Sequence, residues 1–270
     1  MKDYFGKDAS ILKDKKLFLF DMDGTIYCEN HLFDGVLELL QAITEKEGRY
    51  AFITNNPTKS VKDYIKKLEM LGIHGLTEDN FFTSAQAAVM IFKEKFGDDL
   101  IYAQGTRSFI KELQDNGLTV TEEYTTNAKA ILVAFDTEIT AQKMRTTCEM
   151  LTKNDIPYYA TNPDWVCPVD FGSIPDCGSM CFGYEKATKK APIFIGKPEP
   201  TMILTIMEKF GYQKKEVLVI GDRVYTDIAS GVNAGVDTIC VLSGEATLQD
   251  IADSDIKPTF VLKSVKDIQI

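Results

Sequence analysis

Short apolar runs, rich in β-branched and aromatic residues, alternate along this chain with longer stretches in which apolar residues recur every three or four positions. The runs predict strands and the stretches predict amphipathic helices. Leu17–Phe20 is the first predicted strand, followed by a helix over Phe33–Glu47 that ends near Gly48. Tyr50–Thr54 and Lys59–Leu71 repeat the pair. Toward the C-terminus Pro192–Ile195, Val217–Ile220, Thr238–Leu242 and Thr259–Leu262 read as strands, and Thr201–Phe210 and Asp227–Ala234 as helices. This alternation predicts an α/β fold with a doubly wound, Rossmann-like parallel sheet covered by helices on both faces.

The middle of the chain breaks the simple alternation. Between Asn56 and Lys197 lie far more residues than one crossover needs, and they carry αβ units of their own. Leu100–Ala103, Ala130–Phe135 and Pro157–Ala160 read as strands, Arg107–Asn116 and Ile139–Lys153 as helices. The expectation is a second α/β domain, residues 82–187, inserted into a core made of residues 1–81 and 188–270. No repeat or low-complexity segment appears.

Composition narrows the setting. With 270 residues, 44% of them hydrophobic, the chain can bury a sizeable core and is too apolar for disorder. Its net charge of −10 argues against a nucleic-acid binder, which needs a basic face. The same charge means that an anionic substrate must be met by local cations. No apolar run is long enough for a membrane span. The first ten residues, MKDYFGKDAS, are polar and charged, so free thiols in a cytoplasmic protein are expected for the six cysteines. Cys167, Cys177 and Cys181 are the only cluster, and they lack both a Cys-x-x-Cys pair and a neighbouring histidine, which argues against zinc. His31 and His74 sit in polar and loop contexts.

Candidate chemistry sits where the core strands end. The stretch FLFDMDGTIY runs an apolar strand into Asp21 and Asp23, which point to the same side of an extended chain and repel unless a cation separates them. Thr54 and Asn55 follow the next strand, Lys197 follows PIFIG, Asp222 follows VLVIG, and Asp227 closes GDRVYTD. If the strands are parallel, these residues converge on one edge of the sheet. The carboxylates suit a hard divalent cation such as Mg²⁺, and the lysine with the Thr-Asn pair suits a phosphate. Each piece alone also reads as ordinary turn or helix-cap chemistry. Their order and their common placement at strand ends favour a site.

The order D-x-D-G-T, T-N-N, G-K-P, G-D-R-x-x-T-D resembles the haloacid dehalogenase superfamily. The long insert resembles that of its C2-capped branch, the NagD-like and nitrophenyl-phosphatase-like enzymes, as do ATNPD at 160–164 and IPDCGSM at 174–180. The resemblance implies a phosphatase for small phosphorylated metabolites, with Mg²⁺ as cofactor and no nucleic-acid or membrane partner, and it allows a homo-oligomer formed through the cap. It implies Asp21 as nucleophile and metal ligand, and Asp23 as general acid and base whose backbone carbonyl also binds the metal. Thr54, Asn55 and Lys197 would bind the phosphoryl group, Asp222 would complete the metal site, and Asp227 would orient the ligands. Asn162, Asp164 and Trp165 are the candidate contacts to the leaving group. Two alternatives use the same Mg²⁺ site: a phospho-Asp receiver and a catalytically idle binding module. The insert and Asp23 weigh against the receiver, and the complete motif set weighs against the idle module. Sugar phosphates, nucleoside monophosphates and other phosphomonoesters remain open as substrates.

Overall fold

Leu17–Phe20 lies between two parallel neighbours, Arg49–Thr54 and Val217–Gly221, with Phe20 opposite Phe52 and Ile220. All four of its residues are buried, as a central strand covered on both faces requires. Asp237–Val241 and then Phe260–Leu262 extend the sheet beyond Val217–Gly221, and Phe81–Thr83 extends it beyond Arg49–Thr54. The computed structural model describes residues 1–169 and 171–270, and among the described residues this sheet has six strands. The strands of residues 217–262 lie to one side of Leu17–Phe20 and those of residues 49–83 to the other, so the crevice beyond its carboxyl end is a topological switch point.

The helices obey the predicted period. Val36–Glu45 buries Val36, Leu39, Leu40 and Ile43, one stripe of an amphipathic helix. Thr201–Phe210 buries Met202, Ile203, Ile206 and Met207 and closes at Gly211.

The chain divides into two compact units, one of residues 1–54, 65–82 and 197–270, the other of residues 55–64 and 83–196. The second unit has a parallel sheet of its own, in the order Ile193–Phe194, Tyr158–Ala160, Ala130–Val133, Leu100–Gln104, Thr119–Thr121. Three of its helices, Ser84–Phe96, Arg107–Asp115 and Ala141–Lys153, are capped by the hydroxyls of Thr83, Thr106 and Thr140. An antiparallel hairpin, Val166–Val169 with Gly172–Pro175, leads into the helix Cys177–Thr188. Among the described residues no helix is long and apolar enough to cross a membrane.

Two expectations are corrected. The strand expected at Pro192–Ile195 in the first sheet is Ile193–Phe194, and it pairs with Tyr158–Ala160 in the second. The amides of Ile195 and Gly196 continue that ladder onto the carbonyls of Ala160 and Thr161, at 3.0 and 2.8 Å. An apolar run announces a strand but not which sheet edge receives it. The helix expected at Asp227–Ala234 is α-helical only over Ala229–Ala234. Before it, Val224–Ile228 forms a wide π-helical turn in which the amide of Ile228 reaches the carbonyl of Arg223 at 3.1 Å.

Asp136 shows how the second unit carries a buried charge. It is fully buried, accepts from the amide of Glu138 at 2.9 Å, and pairs with Lys143 Nζ at 2.9 Å. Lys143→Met would strand that anion. We expect it to lower unfolding stability by about 3 kcal/mol, read from urea denaturation, and Asp136→Asn in the same chain to recover most of the loss.

Candidate active site

The register of the first sheet assembles the site. Asp21 continues the central strand, its amide bonded to the carbonyl of Ile220 at 2.8 Å. Phe20 lies opposite Phe52 and Ile220, so Thr54 and Asp222 are each two residues further along the neighbouring strands. Lys197, 2% exposed, gathers the edge: its Nζ donates to Asp21 Oδ1 at 2.6 Å, to Asp227 Oδ1 at 2.5 Å and to the carbonyl of Ile53 at 3.2 Å. The π-helical turn brings the other oxygen of Asp227 to the amide of Arg223, 2.9 Å away. Asp227 is thereby held from both sides.

Asp222 is fixed by backbone and by missing side chains. Its Oδ2 accepts from the amide of Glu245 at 2.7 Å, and Thr25 Oγ1 lies 3.4 Å from its Oδ1. A Cβ on Gly24 or on Gly244 would fall 2.4 or 2.0 Å from its Oδ2. Gly24 also has φ +87°, a turn that a side chain would strain. Arg223 pairs with Glu245 at 2.7 Å.

Carboxylate oxygens of Asp21, Asp222 and Asp227 lie within 4.8 Å of one another. Burial, then the charge of Asp227, push Asp21 well above the usual carboxylate range, although Lys197 opposes them. Burial, then Asp227, likewise push Asp222 up to about 7. Burial works against the charge on Lys197, but Asp21 and Asp227 outweigh it and hold its pKa above that of a free lysine. Were Asp21, Asp222 and Asp227 all ionised, they would exceed the one ammonium of Lys197 by two charges. That is the charge of one divalent cation, and an all-oxygen donor set suits Mg²⁺. The residues therefore fit the metal expected from the sequence.

The other sequence candidates fall into two places. Asp23, with its side chain 34% exposed, belongs to the first unit, and its carboxylate meets two residues that the sequence reading passed over. Tyr27 Oη donates to Asp23 Oδ2 at 3.2 Å, and Lys67 Nζ lies 4.0 Å from Oδ1. Thr54, 3% exposed, ends its strand. Asn55, Asn162, Asp164 and Trp165 belong to the second unit. There the Asn55 and Asn162 amides both donate to Asp164 Oδ2 at 2.7 Å, and Asn162 also donates to Asp176 Oδ1 at 3.0 Å. Asn55, Asn162 and Asp164 are buried, whereas Trp165 is 51% exposed and packs edge-on against Phe182. His31 and His74 are exposed. Cys177 and Cys181 are buried with their sulfurs 3.9 Å apart. Among the described residues, the aspartate trio is the only group of three or more such donors that could hold a metal.

Comparison with known proteins agrees with the geometry. Residues 18–119 match the haloacid dehalogenase-like hydrolase family, and residues 194–268 match a HAD-hydrolase-like model. An acid sugar phosphatase of Staphylococcus aureus is 30% identical over 256 residues, 95% of this chain and 97% of that protein. The chain belongs to the haloacid dehalogenase-like hydrolases. Within this family, the crystal structure of 4-nitrophenylphosphatase from Thermotoga maritima superposes with a TM-score of 0.88 at 36% identity, covering 95% of this chain and 97% of that one. NagD from E. coli K-12 gives 0.83 at 29% identity, covering 94% and 98%. The protein is thus a HAD phosphatase of the NagD-like branch, and the receiver alternative falls.

The raised carboxyl of Asp222 makes a measurable demand. In the metal-free HAD protein its folded pKa, about 7, exceeds the ordinary 3.8. Its share of stability is complete below 3.8 and is lost as pH rises through 7. The Tm of the chelated protein should therefore fall between pH 5 and pH 8. Asp222→Asn should flatten that fall, and Mg²⁺ should raise the wild-type Tm at pH 8 but leave the variant's unchanged.

Proposed function

We propose that this protein is a Mg²⁺-dependent phosphatase of small phosphomonoesters, sugar phosphates among them, acting through an aspartyl phosphate on Asp21. The observation that carries the proposal is the ion pair of Asp21 with Lys197 at the edge shared with Asp222 and Asp227. The names of its relatives, acid sugar phosphatase and 4-nitrophenylphosphatase, support alkyl and aryl phosphates as substrates.

In this reading Asp21, the backbone carbonyl of Asp23 and Asp222 hold Mg²⁺, and Asp227 orients Lys197. The bound ion supplies positive charge that keeps Asp21 ionised and offsets the charge of the phosphoryl group. Lys197 and the hydroxyl of Thr54, with the amide of Asn55, receive the phosphoryl oxygens. Such donors are worth most where water is excluded, and phosphoryl transfer depends mainly on them. Asp21 attacks phosphorus through its free oxygen, and the bond from phosphorus to the leaving oxygen breaks. Asp23 gives its proton to that oxygen. It then takes a proton from the water that attacks the aspartyl phosphate, which releases inorganic phosphate and restores Asp21.

For the second unit we propose the role of cap, with substrate choice residing on its exposed Trp165. Asn162 and Asp164, being buried and bonded to one another, hold the loop that presents it.

Chelation should abolish turnover of every phosphomonoester, and Mg²⁺ should restore it. Asp21→Asn should be inactive on all substrates. Asp23→Asn should lose about 10²–10⁴-fold on a sugar phosphate but much less on 4-nitrophenyl phosphate, whose leaving group departs without a proton. A broad panel of phosphomonoesters assayed with Mg²⁺ and showing no turnover would falsify the proposal.

A further inference from the structure

The general acid of this site stands apart from the other carboxylates. Asp21 and Asp227 have side chains 13% and 2% exposed, whereas that of Asp23 is 34% exposed. A half-open carboxylate on a short side chain samples several rotamers unless something engages both oxygens. Two residues do so. Tyr27 Oη donates to Oδ2 at 3.2 Å, and Lys67 Nζ faces Oδ1 at 4.0 Å. The two are also joined to each other, since the Lys67 ammonium lies 3.6 Å from the centre of the Tyr27 ring, within cation–π range.

The origins of the pair argue that this is a built feature. Tyr27 is completely buried and is set four residues after Asp23 by a tight turn, with the amide of Gly24 on the carbonyl of Tyr27 at 2.9 Å and the amide of Tyr27 on that of Met22 at 3.3 Å. Lys67 comes from the helix Val61–Met70, whose Tyr64 and Leu68 are buried. Lys62 and Lys66 of that helix are exposed, but Lys67 turns inward and is only 17% exposed. An ammonium on the inward face of a helix must find an anion or a ring, and Lys67 finds both.

We propose that Tyr27 and Lys67 are positioning residues that hold the Asp23 carboxylate, one at each oxygen, in line with the leaving group. The inference rests on the phosphatase reading above. Neither residue touches the phosphoryl group in this account; they act through Asp23. Misplacing a reacting group by about 1 Å can cost about 100-fold. The loss should appear only where a proton must be delivered.

The test compares kcat/KM for a sugar phosphate with that for 4-nitrophenyl phosphate. This parameter ends at the first irreversible step, phosphoryl transfer to Asp21, so hydrolysis of the intermediate does not enter. Tyr27→Phe, which removes one hydroxyl and keeps the ring, and Lys67→Met should each lower the ratio of sugar phosphate to nitrophenyl phosphate about tenfold to 100-fold. Lys67→Arg should restore most of the ratio. In an Asp23→Asn background neither substitution should lower it further, because the group they hold no longer delivers a proton. Equal losses on both substrates, or losses of the same size in the Asp23→Asn background, would overturn the inference. If Asp23→Asn lowers the ratio while Tyr27→Phe and Lys67→Met leave it intact, the inference alone fails. If Asp23→Asn leaves the ratio intact, the general-acid reading fails and takes the inference with it. Should Lys67→Met not fold, Tyr27→Phe and Lys67→Arg decide.

Discussion

Like charges brought together in a dry place dominate this molecule. A parallel sheet sends adjacent strand ends to one edge, and here those ends carry Asp21 and Asp222, with Asp227 one turn further on. Lys197 neutralises part of the charge, and the rest shows as carboxyl groups that resist ionising. The local arrangement follows from that excess. The ammonium of Lys197 is bonded three ways, the π-helical turn offers an amide to Asp227, and the amide of Glu245 serves Asp222. The two amides supply partial positive charge without adding a second lysine, which would compete with a metal for the same oxygens. A site left slightly too negative is suited to a cation.

Much of this was legible in the sequence because the polar residues come directly after apolar runs. FLF before Asp21 and VLVIG before Asp222 mark buried strands, and their carboxyl ends locate the acidic cluster without knowledge of the fold. Thr201–Phe210 was legible to the residue, since proline precedes it and glycine follows. The sheet that receives Ile193–Phe194 was not, because a two-residue strand carries no information about its partner. The helix Cys177–Thr188 also escaped, with two glycines and no clear apolar stripe. Lys67 was hidden differently. Its spacing from Tyr64 places it on the inward side, but a lysine among lysines reads as solvated surface until the neighbouring anion is seen.

One group of buried carboxylates in the second unit is met by side-chain amides, unlike Asp136, which is met by the ammonium of Lys143. Asp164 accepts from the amides of Asn55 and Asn162, and Asp176 from that of Asn162. An asparagine amide has two N–H groups, and Asn162 spends one on each carboxylate. Such a network specifies one loop geometry, because any rearrangement leaves a buried polar atom without its partner. Asn55 takes part while being peptide-bonded to Thr54, the last residue of its strand.

Gly24 and Gly244 flank Asp222 so closely that a single added carbon at either would overlap its carboxylate. Every amino acid other than glycine carries that carbon. At these two codons there is accordingly no mild missense change: alanine, serine or valine all begin with the same collision. Inherited variation in this protein should therefore be as sparse at two residues that carry no functional group as at the aspartate they surround.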